Sequence, residues 1–397
     1  MLALVVFSTV VWAGAIKVKW NANSEPDLAG YRVHYGVASK MYTTSKDVGD
    51  TTAHVIQGVD YGKRYYVAVT AYDDSGNESD FSQEVSITLT TPMIRAAKTE
   101  FGLALRWQHV MSADSYEIYR DQNPYFVADL PVALTPDTTY LDGTFLSTPA
   151  VGFYYQVIAL QNGKAIYSFP RIGGYNVALY KGANLVSLPL LPANELINEV
   201  LGDQLTGGRS KSASDYVMVF KDENVTESAW QVQGTGSGMD GKWVTEDGGS
   251  VSTLKLSPDQ AFWIYRRENH ADSVLTFTGQ VSLDSNRVLR LKKGFNFIGT
   301  AYPKVISLVH SELAQDGVMS GGSTSSSSDK IIEYNSRGYE IAWLVSGTRT
   351  MWDGQFFNEA GTAPTTIALR PGHGYIVWIR NAAPVNPWTF PNPFYLN

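Results

Sequence analysis

Two stretches decide the fold: KVKWNANSEPDLAGYRVHYG (17–36) and YGKRYYVAVTAYDDSGNESDFS (61–82). Around the first, Ile16, Val18 and Trp20 alternate with Lys17 and Lys19, then Tyr31, Val33 and Tyr35 alternate with Arg32 and His34. In the second, Tyr65, Val67, Val69 and Ala71 share one face. A period of two sends successive side chains to opposite faces, so each run predicts a half-buried strand. Turn formers separate the runs, NANSEPDLAG (21–30) and DDSGNES (73–79), and Val85, Ile87 and Leu89 predict a last strand. Short strands joined by polar turns predict an all-β sandwich.

A weaker copy of the same pattern follows. Leu103, Leu105 and Trp107 alternate like the Trp20 run; SYEIYR (115–120) matches the Tyr31 run, and FYYQVIA (153–159) the Tyr65 run. These residues, with the closing EVSITL (84–89), resemble the bacterial fibronectin type III family. The resemblance implies a β-sandwich with Trp20 in its core and Tyr65 at the tyrosine corner, where the phenol hydroxyl bonds to backbone upstream. It implies a second such domain over 91–178. The family's first strand is missing from the first domain, or is supplied by the segment before Ile16.

The second half repeats itself. KGANLV (181–186) pairs with KGFNFI (293–298), DYVMVF (215–220) with DKIIEY (329–334), AWQV (229–232) with AWLV (342–345), and LSP (256–258) with LRP (369–371). The spacing holds: 293−181 is 112, 329−215 is 114, 343−230 is 113 and 371−258 is 113. Four blocks in order at one spacing predict a duplicated β-rich module. The module resembles domains of large bacterial surface and secreted proteins that open with a G-x-N-L-I-S-x-P line and close with L-x-P-G-x-G-Y/F-x-V. Here those lines read KGANLVSLPL (181–190) and LRPGHGYIVW (369–378), and the first copy has Asp259-Gln260-Ala261 in place of Gly372-His373-Gly374. A short helix is expected in each copy, at Glu195–Leu201 and Val305–Leu313. The expected organisation is therefore 1–15 as an N-terminal segment, tandem sandwiches at 16–90 and 91–178, and module copies at 179–290 and 291–397.

Residues 1–15, MLALVVFSTVVWAGA, read two ways. The apolar run ending in Ala13-Gly14-Ala15 is secretory-signal chemistry, although no Lys or Arg precedes it. The β-branched Val5, Val6, Thr9, Val10 and Val11 also suit a strand, with Val5, Phe7, Thr9 and Val11 on one face as an assembly strand. The run is too short to cross a bilayer as a helix, and no transmembrane helix is expected. The apolar tail PNPFYLN (391–397) is a second candidate for docking.

Composition narrows the function. The 397 residues are 44% hydrophobic and 17% charged, with a net charge of −7 and no basic run, which argues against a nucleic-acid partner. The absence of cysteine removes disulfides, thiolate catalysis, zinc–cysteine sites and iron–sulfur clusters. No two of the six His stand at metal-ligand spacing, and no nucleophile elbow is present. Asp73–Glu78 lacks the spaced carboxylates of a calcium loop. Neither catalytic residues, cofactor-binding residues nor a metal site are expected. Among the tryptophans, Trp243 and Trp352 lie in Gly-rich loops and are the candidates for exposed, ligand-stacking rings. The leading reading is a secreted or surface-bound, non-enzymatic structural or adhesive protein whose partner is itself, in a filament, or another surface protein or glycan. A carbohydrate-binding accessory protein is the alternative.

Overall fold

The computed structural model describes residues 15–145, 151–222, 225–315, 317–335 and 338–394. Apart from one helical turn and three 3₁₀ turns, its regular elements are strands. The first unit holds β1 (Ala15–Lys19), β2 (Leu28–Gly36), β3 (Thr44–Gly49), β4 (Ala53–Gln57), β5 (Arg64–Asp73) and β6 (Val85–Thr88). They form two antiparallel sheets, β1-β4 and β3-β2-β5-β6. Ile16, Val18, Trp20 and Ile56 of the small sheet pack on Tyr31, Val33, Val67 and Val69 of the large one. The period-two pattern is the cause: Lys17 and Lys19 are held out of the core while their neighbours fill it. The Tyr65 hydroxyl accepts the Asp60 backbone N–H at 2.8 Å, closing the corner expected from the resemblance.

The second unit follows with β7 (Ile94–Thr99), β8 (Gly102–Trp107), β9 (Ser115–Asp121), β10 (Ala133–Thr135), β11 (Thr139–Asp142), β12 (Gly152–Gln161), β13 (Lys164–Ser168) and β14 (Ile172–Leu179). Its small sheet runs β11-β8-β7. Its large sheet runs β10-β9-β12-β14 and does not stop there. β14 pairs along its whole length with β20 (Ser273–Gln280), from Ile172↔Gln280 to Leu179↔Ser273. One continuous sheet therefore crosses the boundary expected at 178/179. Its two faces serve two cores. Leu105, Trp107, Ile118, Tyr155 and Val157 belong to one, while Tyr119, Tyr154, Val177 and Phe277 join Leu188, Val217 and Phe262 in the other.

The third unit adds β15 (Gly182–Val186), helix α1 (Ile197–Leu201), β16 (Tyr216–Asp222), β17 (Val225–Gln231), β18 (Trp243–Thr245) and β19 (Phe262–Arg266) in a sheet of order β15-β19-β16-β17-β18. The fourth has β21 (Asn286–Leu289), β22 (Gly294–Ile298), β23 (Ile306–Ser307), β24 (Lys330–Asn335), β25 (Gly338–Leu344), β26 (Phe356–Asn358), β27 (Ala368–Leu369), β28 (Tyr375–Ile379) and β29 (Trp388–Pro391). Its five-stranded sheet, β22-β28-β24-β25-β26, has the same order as the third unit's, and β21-β29 stands where β14-β20 stands before. The helix expected at Val305–Leu313 is replaced by β23 and a 3₁₀ turn at Leu308–His310. Pairing of β23 with β27 holds Ile306 and Ser307 extended.

The K-G-x-N line has a local reason. Gly182 and Gly294 adopt φ of 81° and 89°, a region open to glycine. The following asparagine then locks the turn. Asn184 donates to the carbonyls of Tyr180, Gly182 and Ile264, and Asn296 to those of Lys292, Gly294 and Val377.

The two five-stranded sheets meet through a reciprocal contact. Gly374 N–H donates to Leu185 O and Ser187 N–H to Gly372 O; Ala261 N–H donates to Phe297 O and Gly299 N–H to Asp259 O. Residues 372–374 thus treat 185–187 as 259–261 treat 297–299, the arrangement of an isologous interface inside one chain.

Candidate functional site

In the second unit β8 is flanked on both edges, by β11 and by β7. In the first unit its counterpart β1 pairs with β4 alone among the described residues. Ile16 and Val18 are anchored in the core, so β1 is held at a set height, and Lys17 and Lys19 project away from the core. Its other edge carries backbone N–H and C=O groups with no strand beside them among the described residues. Such an edge templates pairing with another strand, and lysines are a usual guard against promiscuous pairing. The candidate assembly strand, Val5, Phe7, Thr9 and Val11, lies outside the described residues.

The two candidate stacking rings are not brought together. Trp243 is a correction: it is 1% exposed, and its indole N–H donates to Gly202 O at 2.8 Å. The cause is its place in edge strand β18, whose inward face fills the third unit's core. The repeat carries this signal, since 356−243 is 113 and Phe356 is a core residue of β26. Trp352 is 38% exposed and packs edge-on against Phe357, centroids 5.3 Å apart. Its loop is stiffened by Asp353, which accepts bonds from the backbone N–H groups of Thr348 and Arg349. Among the described residues Trp352 meets no parallel ring, so it is a single exposed indole and not one of a stacked pair.

The ionisable clusters are committed to the scaffold. On the outer face of the first large sheet, Glu78 accepts from Arg32 at 2.7 Å and from Thr70 at 2.5 Å, and His34 lies 3.3 Å away. Burial pulls the His34 pKa down against the pull of Glu78. Glu84 ties Ser39, the Lys40 backbone and Tyr42 together, and burial with this bond pushes the Tyr42 phenol up to about 12. The two carboxylates fasten the segment after the Asp73 turn to the sheet. Asp73 itself accepts from the N–H groups of Ser75 and Asn77, the geometry of a turn.

Elsewhere the pattern is the same. Buried Asp142 accepts from Arg120 at 2.7 Å and from the Tyr155 hydroxyl at 2.6 Å. Asp215 and Asp329 clamp backbone N–H groups of Thr206 and Arg267, and of Ser320 and Arg380. Glu333, 2% exposed, bonds Arg370 at 2.6 Å. No group of three metal-capable side chains occurs among the described residues, and no helix is long and apolar enough to cross a membrane.

No protein-family model matches the chain, and no curated protein matches it. Among solved structures, it is similar to a two-domain fibronectin type III segment of chicken tenascin at 15% identity, over 43% of this chain and 94% of that one, with a TM-score of 0.19. It is also similar to the FN1–FN3 domains of chicken CNTN1 at 14% identity, over 41% of this chain and 62% of that one, with a TM-score of 0.19. Neither likeness bears on function, and the sandwich fold stands on the strand orders and cores above.

Proposed function

We propose that this chain is a non-enzymatic structural or adhesive protein of the bacterial cell exterior that associates by adding a strand to the edge of β1. The observation that carries this reading is the contrast between β8, flanked on both sides, and β1, flanked by β4 alone among the described residues. A strand containing Val5, Phe7, Thr9 and Val11 would stand beside β1 as β7 stands beside β8. Main-chain bonds would set its register, and alternate side chains would enter the sandwich. Supplied by the same chain it completes a domain; supplied by a neighbour it makes a polymer contact. If residues 1–15 are instead a cleaved secretory signal, Lys17 and Lys19 guard the edge.

The rest of the molecule suits a scaffold. Buried carboxylates are spent on backbone clamps and ion pairs, and a shared sheet joins the second and third units. Division into sandwiches at 16–90 and 91–178 and module copies at 179–290 and 291–397 remains the working organisation, with the β14–β20 ribbon serving two units. Two samples test the assembly: the full chain, and the chain lacking residues 1–14. Negative-stain electron microscopy and light scattering should find polymers or oligomers of the first and monomers of the second. A strictly monomeric full chain whose N-terminus is retained would sink the reading.

A further inference from the structure

The outer faces of the two five-stranded sheets differ in extent. In the fourth unit the register aligns Phe297, Ile376, Ile332 and Ile341 in one row across β22, β28, β24 and β25. Strands lie about 4.8 Å apart, so this row is an apolar track about 14 Å long. The corresponding row of the third unit is Leu185, Trp263, Met218 and Ser228, so it ends in a hydroxyl. At the neighbouring position Tyr339 replaces Thr226, where 339−226 is again 113.

The contact between the sheets covers only part of the track: Trp263 and Ile376 are 8% and 6% exposed. Beyond them opens a groove of 880 Å³, walled in part by Phe220, Val288, Phe295 and Tyr339. Val288, Phe295 and Tyr339 leave 58%, 55% and 62% of their surface in solvent. Clustered apolar exposure of this kind marks a binding surface in a soluble protein.

Several polar groups of the wall are already engaged. Asn296 locks the K-G-x-N turn, the Gln260 amide donates to Phe220 O at 2.5 Å, and Asp259 takes two bonds from Arg287 at 2.6 and 2.8 Å. Lys221 pairs with Glu227 at 3.2 Å. The charged groups left over are positive: Arg290, Lys292 and Lys293 line the groove and form no ion pair among the described residues. Three such cations in a chain of net charge −7 make a local field that attracts anions.

We propose that this groove binds the acyl chain of a fatty acid, its carboxylate at the Arg290–Lys292–Lys293 end. The four side chains of the track, Phe297, Ile376, Ile332 and Ile341, supply continuous apolar contact and carry no hydrogen-bonding atom. A peptide or sugar lying there would desolvate N–H, C=O or hydroxyl groups without replacing their partners, which an acyl chain does not have. The volume falls among small-molecule sites, which run from about 300 to 1,000 Å³.

The test uses the full chain and dodecanoate, followed by titration calorimetry below the micelle threshold. Dodecyltrimethylammonium, with the same tail and the opposite charge, is the comparator. Saturable dodecanoate binding, at least about tenfold tighter than the comparator, is expected. Ile341→Ser with Tyr339→Thr installs the residues found at the same places in the third unit, and should weaken binding about tenfold or more. Lys292→Ser with Lys293→Ser, both exposed, should weaken it and flatten its salt dependence without moving the thermal midpoint. This second variant keeps the test open if the first does not fold. Absence of saturable binding, equal affinity for both head groups, or full affinity in a folded variant would overturn the proposal. So would displacement of dodecanoate by a tighter-binding acidic peptide.

Discussion

The Trp20 and Tyr31 rings meet edge-on with centroids 5.5 Å apart, and the Tyr31 hydroxyl accepts the backbone N–H of Asn23 at 2.7 Å. Trp107 and Tyr116 repeat the arrangement at 5.4 Å, with Val110 N–H on the Tyr116 hydroxyl at 2.9 Å. Trp20 directly follows β1 and Trp107 ends β8, both strands of the small sheets, and in each unit the tyrosine lies on the large one. The pair therefore pins the two sheets together and secures the loop that leaves the tryptophan.

Trp20 is 4% exposed, so Trp20→Ala should destabilise the first sandwich by about 3–5 kcal/mol through lost contacts and a residual cavity. Its indole N–H has no hydrogen-bond partner among the described residues. Trp20→Phe, which keeps a ring and removes that orphan donor, should cost much less. Urea unfolding followed by hydrogen exchange at the β1 and β5 amides separates the outcomes; equal losses for both variants would contradict this account.

Tyr65 and Tyr375 both accept the backbone N–H of the residue five positions earlier, Asp60 and Arg370, each at 2.8 Å. Tyr375 also donates to Ala368 O at 2.6 Å. A net hydrogen bond contributes about 1 kcal/mol, so Tyr65→Phe should cost about 1 kcal/mol and Tyr375→Phe about twice that. Thermal midpoints of the two variants give the order directly.

The strands of the first unit were legible because core and solvent faces alternate cleanly from Ile16 to Trp20 and from Tyr31 to Tyr35. The β14–β20 pairing was not legible. Val177 pairs with Leu275, where 275−177 is 98, and Phe277 with Tyr175, where 277−175 is 102, and nothing local distinguishes a strand that ends one sheet from a strand that extends it. The Gly-rich flank of Trp243 suggests an exposed loop, whereas the repeat makes it the equivalent of Phe356, since 356−243 is 113. The departure at Asp259-Gln260-Ala261 was visible, but its meaning needed the partner segment 297–299 across the interface. The groove was hidden for the same reason: Phe297, Ile376, Ile332 and Ile341 become neighbours only through strand register.

The second unit replaces part of the tyrosine-corner logic with charge. Phe153 lies under the Arg120 guanidinium, and Arg120 and Tyr155 bond Asp142. Burial raises the Asp142 pKa, and the bonds from Thr144, Tyr155 and Arg120 outweigh it, leaving the carboxyl below its ordinary value. A carboxyl depressed in the folded state contributes stability that is present above its unfolded pKa, about 3.9, and lost as pH falls through the folded value. Acid unfolding monitored on this unit should therefore begin below about pH 4 and carry a contribution that Asp142→Asn removes. At neutral pH the same variant should cost about 2–3 kcal/mol, the scale of bonds to a charged acceptor. An unchanged acid limb in Asp142→Asn would show that other carboxylates set it.

The reciprocal contact between the five-stranded sheets makes a prediction about a single methyl group. Ala261 and Gly374 stand at matching places, since 374−261 is 113. A Cβ on Gly374 would come within 2.6 Å of the Ala261 Cβ and 2.8 Å of Leu185 Cγ. The interface thus has room for one methyl at this point, and the third unit's alanine occupies it. Gly374 does not need a left-handed backbone, so Gly374→Ala tests packing alone. It should cost about 1–3 kcal/mol, the range for overfilling a packed contact. Adding Ala261→Gly removes the nearer clash and leaves that with Leu185, so the double variant should recover part of the loss. The signature is a favourable coupling energy in the double-mutant cycle, read from denaturation of the full chain. Strict additivity of the two substitutions would mean that the sheets do not meet at this pair of residues.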